Sequence, residues 1–193
     1  MESRVKVFGH SAHQMLVPLP IGAFAVSLAF DAAYAFTKRH EYATAARAAI
    51  DFGLLTSAVA APVGMVDLIA VEPGTRAKRV GIAHALGNAV MLGLFATSRL
   101  MRTCGGAPAS APRQARWLSG SAFMLSGVTA WLGGELVSRH AIGVDDDAAE
   151  DTHSSLSKKA RQAHALHAGR TLSSRDVVRA ESAVSAPTQN GVR

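Results

Sequence analysis

The feature that most constrains this chain is the run "MLVPLPIGAFAVSLAFDAAYAF", residues 15–36, interrupted by a single acid, Asp31. A helix rising ~1.5 Å per residue needs about 20 mostly apolar residues to cross ~30 Å of hydrocarbon, and this run is long enough. Three more runs of the same kind follow, at residues 48–71, 80–101 and 117–137. The four together predict an all-α fold, an integral membrane four-helix bundle spanning residues 1–144.

Within that frame the prolines set the boundaries. Pro18 and Pro20 suit the first turn of a helix, where a missing N–H costs little, so the first span should begin near Pro18. His10 and His13 are then left in a lead-in segment. Pro62 lies inside the second span and predicts a kink there. "VEPGT", residues 71–75, reads as a turn, and "RTCGGAPASAPRQAR" as a loop between the third and fourth spans. Small residues four apart, such as Ala60 with Gly64 and Ala83 with Gly87, allow close approach of helix backbones in lipid. Residues 1–36 also have features of a signal peptide, with Arg4 and Lys6 before the apolar run and "AYA" at residues 33–35. The length of the run and Asp31 favour an uncleaved first helix.

Composition excludes several function classes. The net charge is +6 and the pI about 10.1, but the basic residues are scattered between apolar runs and in the tail. That distribution suits loops beside lipid headgroups rather than a nucleic-acid-binding face. Residues 145–193 are polar, beginning "DDDAAED", and predict a flexible tail unable to build its own core. His153, His164 and His167 in that tail are expected to have no metal site. Cys104 is the only cysteine, so neither an internal disulfide nor a four-cysteine zinc or iron–sulfur site can form within the chain. There is no G-x-S-x-G, HExxH or P-loop pattern, which favours a non-enzyme with no catalytic residues.

Ionisable groups inside a bilayer are expensive and tend to face a bundle interior. Four spans would bring His10, His13, Asp67, His84, Glu135 and His140 to one membrane face. Asp31, Asp51 and His40 would form a weaker set near the other. His84, Asn88 and Met91 form one stripe on the third span. Imidazoles from facing helices suit the axial positions of haem b, with Gly87, Gly133 and Gly134 leaving room for a macrocycle. His84 would be one ligand and His13 or His140 the other, with Glu135 and Asn88 as hydrogen-bonding partners. A transition metal held by His84, His13 and His140 is the alternative use of the same site. A scaffold or assembly role, in which these groups only lock helix packing, competes with both. So does small-solute or proton transport through Asp31, Asp51 and Asp67, which would require a homo-oligomer.

Three segments, "GHSAHQMLVPLPIGAFAVSLAFD", "GMVDLIAVEPGTRAKRVGIAHALGN" and "WLGGELVSRHAIGVD", resemble in order the bacterial membrane family known as domain of unknown function 2231. The resemblance runs from about Gly9 to Asp145 and implies four membrane helices in a bacterial inner membrane. Some relatives carry a Rieske-type domain, which implies an electron-transfer or iron–sulfur partner. The matching positions are His10, His13, Asp67, His84, Asn88, Glu135, His140 and Asp145. Gln14 stands where the family usually has proline, and Ala141 where it usually has glycine.

Overall fold

A computed structural model describes residues 1–104 and 111–144. Its elements, in chain order, start with a two-stranded antiparallel hairpin, β1 (Lys6–Val7) and β2 (His10–Ser11). The short helix α1 (Ala12–Leu16) follows, then four long helices: α2 (Pro18–Thr37), α3 (His40–Ala70), α4 (Arg76–Cys104) and α5 (Arg113–Ser138). The expected all-α membrane fold is present. The sequence predicts no hairpin here, because two-residue strands leave no readable alternation. The flexible tail expected at residues 145–193 lies outside the described residues.

Each long helix starts where its residues require. α2 begins at Pro18, with proline in its first turn. Lys38 closes it in the left-handed region, φ 58°. α3 begins at His40 rather than residue 48, because "HEYATAAR" is helix-compatible and buries Ala43 and Ala46. Hydropathy alone marks only the apolar part of that helix. α3 also continues through Pro62, although proline cannot donate to the Ala58 carbonyl one turn earlier. At its far end the Lys78 ammonium donates to the Leu68 carbonyl at 2.7 Å, supplying a donor to a terminal acceptor.

Three helical segments are long and apolar enough to cross a membrane: Ala12–Thr37, His40–Ala70 and Arg76–Thr103. Only 22%, 22% and 17% of their most apolar windows are buried inside the protein. Phe52, Leu55 and Val59 on α3, and Leu86, Val90 and Leu100 on α4, are exposed. A surface this apolar belongs against lipid rather than water.

The core is small and built from close approaches. Phe24 and Phe95 stack with ring centroids 3.9 Å apart, joined by Ile50, Met91 and Ala122. Gly53 makes room for Phe24, since a Cβ there would come within 2.5 Å of the ring. α2 packs chiefly on α3, and α4 on α5.

Helix length creates the feature that positions the polar residues. α2 has 20 residues and α3 has 31, so the α2 column is shorter by about 16 Å at ~1.5 Å per residue. The two are joined by a short turn at Lys38 and Arg39, so the shortfall lies at the opposite end. The N-terminal segment fills it. The Asp67 carboxylate accepts the Ser3 hydroxyl at 2.8 Å and the Arg4 backbone N–H at 2.7 Å. The N-terminal ammonium donates to Ala141 O at 3.0 Å, and Gly143 N to Met1 O at 2.9 Å.

Candidate functional site

Two of the expected histidines occupy matching environments. His13, on α1, has Nδ1 3.0 Å from the Ala60 carbonyl of α3. His84, on α4, has Nδ1 2.8 Å from the Thr129 carbonyl of α5. A carbonyl oxygen can only accept, so in both rings Nδ1 carries the proton and Nε2 of the neutral ring keeps its lone pair. Each ring also lies against a glycine. A Cβ at Gly64 would come within 2.6 Å of His13 Cε1, and one at Gly133 within 3.0 Å of His84 Cε1. A Cβ at Gly64 would force the His13 ring to shift, and one at Gly133 would press tightly on the His84 ring.

The two rings share a depth. Counting ~1.5 Å per residue from the nearer helix ends, His84, Ala60 and Thr129 lie about 12–15 Å along α4, α3 and α5. Asn88, one turn along α4, places Nδ2 3.0 Å from His84 Nε2 and 3.0 Å from the His84 carbonyl. Its two amide hydrogens thus serve both acceptors, and the His84 lone pair is capped by a neutral donor.

The other expected site residues have different partners. His10 is exposed on the hairpin, its Nδ1 2.9 Å from Phe8 O. Glu135, only 8% exposed, accepts from Arg76 at 3.4 Å and Arg139 at 3.2 Å, tying the start of α4 to the end of α5. Asp67 is occupied by Ser3 and Arg4 as described. His140 is half-buried beyond α5, and its Nε2 is buried without a hydrogen-bond partner among the described residues. Among the described residues, no three His, Cys, Asp or Glu side chains form a metal-binding group. Of the glycines expected to leave room, Gly133 faces His84, Gly87 faces the Thr129 methyl group, and Gly134 has nothing within 4 Å.

A second polar centre, at the opposite end of the helices, was only faintly visible in the sequence. Arg102 on α4 is 1% exposed and grips Asp31 on α2 through two bonds, Nη1–Oδ1 at 2.7 Å and Nη2–Oδ2 at 2.5 Å. The same guanidinium donates to Ser98 at 3.3 Å and to Ser119 of α5 at 3.2 Å. Ser98 in turn donates to the Ala115 carbonyl at 2.7 Å. Nearby, Arg99 pairs with Asp51 at 2.6 Å, joining α4 to α3. Asp31 stands out in the sequence as an interruption of its span. Arg102 gave no signal, because a basic residue at the end of a span usually reads as a loop charge.

One of three comparisons with known proteins gives a match, and it agrees with a membrane protein. A family profile described as "Predicted membrane protein (DUF2231)" matches residues 9–146. That range takes in β2, α1, all four long helices and both histidines of the matched pair. No curated protein and no solved structure matches the chain. With most of its length covered in one continuous match, the chain belongs to the DUF2231 family of predicted membrane proteins.

Proposed function

We propose that this membrane protein binds haem b through Nε2 of His13 and His84 and takes part in electron transfer within a bacterial inner membrane. One observation carries the reading: both imidazoles donate Nδ1–H to a backbone carbonyl of a neighbouring helix, which leaves Nε2 as the ligating nitrogen. That is the arrangement by which metal-bound histidines are fixed in tautomer and orientation. A b-type haem, when bound, supplies reversible one-electron transfer. Ala60 and Thr129 orient the rings, Gly64 and Gly133 admit them, and Asn88 must release His84 Nε2 while keeping its bond to the His84 carbonyl. A partner for such electrons would be another membrane protein or an iron–sulfur protein. An all-imidazole donor pair also suits copper, zinc or non-haem iron.

α5 is the fourth membrane span in this reading. Two features support that: it has 26 residues, about 39 Å at ~1.5 Å per residue, and it returns the chain to Met1. Trp117 and Trp131 are exposed towards opposite ends of it, with Met124 and Val128 between them, as in the aromatic belts of membrane helices.

The test is an absorption spectrum and metal analysis of protein purified in mild detergent from haem-replete cells. The expected result is a low-spin haem spectrum abolished by His13→Ala or His84→Ala and kept in His10→Ala and His140→Ala. Folded protein carrying neither haem nor metal would overturn the proposal. A second reading, a scaffold whose polar groups only fasten helices, is favoured by Asn88 already filling the His84 lone pair. It predicts that His84→Ala lowers the melting temperature and changes no spectrum.

A further inference from the structure

The N-terminal hairpin ends in a side chain that the fold leaves uncovered. Phe8 is 95% exposed and Val7 42% exposed, beside the turn at Gly9. Phe8 also has φ 50°, a left-handed conformation that costs a non-glycine residue of order 1 kcal/mol. The hairpin cannot simply swing away, because several bonds fasten its base. Ala12 N donates to Val5 O at 2.9 Å, Asp67 holds Ser3 and Arg4, and Met1 is joined to Ala141 and Gly143.

Its level in the molecule decides what it meets. The hairpin and α1 occupy the space left by the shorter α2 column, and His13, two residues beyond β2, reaches Ala60 of α3. The hairpin base therefore lies beside α3 between Ala60 and Asp67, inside the helix ends rather than above them. At similar levels along the helices Met15 and Leu19 of the first apolar segment, and Met65, Val66 and Ile69 of α3, are all exposed. Exposed apolar side chains are thus present at the level of the hairpin as well as at its tip. Lys6 and His10 flank the tip and set a polar limit to its depth.

We propose that Phe8, with Val7, inserts into the bilayer at the boundary between headgroups and acyl chains. The hairpin then acts as a lipid anchor that fixes the depth of the bundle at its histidine-bearing end. Aromatic rings favour that boundary, and apolar contact with lipid offsets the backbone conformation at the tip.

The test uses the full chain in lipid nanodiscs. Phe8→Trp is the reporter, in a background where the exposed Trp117 and Trp131 are changed to Phe. Position 8 makes so little packing contact that the substitution should leave the helices intact, which circular dichroism checks. The expected result is blue-shifted emission, quenched more by lipids brominated near the headgroup than by lipids brominated near the chain end. Emission as in water, quenched by aqueous iodide and not by brominated lipid, would overturn the proposal. A spin label on Phe8→Cys in a Cys104→Ser background gives an independent reading. Collision with oxygen should exceed collision with a water-soluble nickel complex, and the reverse order would equally overturn it.

Discussion

Gly64 and Gly133 matter for the space they leave more than for backbone freedom. Each is a recess into which an imidazole fits, and each recess is specific to a ring on another element. For Gly64→Ala the new methyl group would meet His13 at 2.6 Å, so the ring must leave the Ala60 carbonyl or α1 must move. Overpacking of this kind costs ~1–3 kcal/mol, and a lowered thermal midpoint in detergent should report it. Gly134→Ala, at the very next residue but where an added Cβ meets nothing within 4 Å, should leave the midpoint near wild type. Ala141 gives a prediction of opposite sign. It has φ 49°, at the position where the resembling family usually has glycine. Ala141→Gly should therefore stabilise the protein by about 1 kcal/mol, part of the gain being lost to the greater freedom of glycine in the unfolded chain. The same melting experiment reads that increase.

At the scale of elements, buried polar contacts fasten the helices at both ends. Arg102 joins α4 to α2 through Asp31 and to α5 through Ser119, and it does so with almost no exposure. Removing one partner of a buried ion pair leaves the other charge uncompensated, a loss of ~3–5 kcal/mol. Arg102→Leu should accordingly cost far more stability than the double variant Asp31→Leu/Arg102→Leu, measured by denaturation in detergent. The exposed pair Arg99–Asp51 should behave differently. With Asp51 half exposed, it is open to solvent screening wherever water reaches it, and Asp51→Asn should cost well under the Arg102 value. The sequence shows Asp31 as an anomaly, but its partner lies 71 positions away. Nothing local to either residue encodes that pairing, which depends on the rotation and register of two helices that share no sequence signal.

For the whole molecule, the meeting of Met1 with Ala141 and Gly143 brings the amino terminus to the far end of α5. If α5 crosses the membrane, residues 2, 72 and 139 lie on one side and residue 38 on the other. Single cysteines at those positions in a Cys104→Ser background should label accordingly with an impermeant maleimide in sealed vesicles. Labelling of 139 together with 38 would show that α5 does not cross.

The order and number of the apolar runs, the start of α2 at Pro18, and the polarity change after residue 144 follow from the sequence alone. Each is a sum or a constraint over neighbouring residues: hydropathy accumulates locally, and a proline acts on its own turn. The histidine pair was legible only as a set of candidates at a common depth. Tertiary structure separated His13 and His84, which donate to helix carbonyls, from His10 on the hairpin and His140 beyond α5. It likewise turned Glu135 towards arginines and Asp67 towards the N-terminal backbone. Which polar groups meet depends on helix azimuth and on the unequal lengths of α2 and α3, and those are settled by packing between segments distant in the chain.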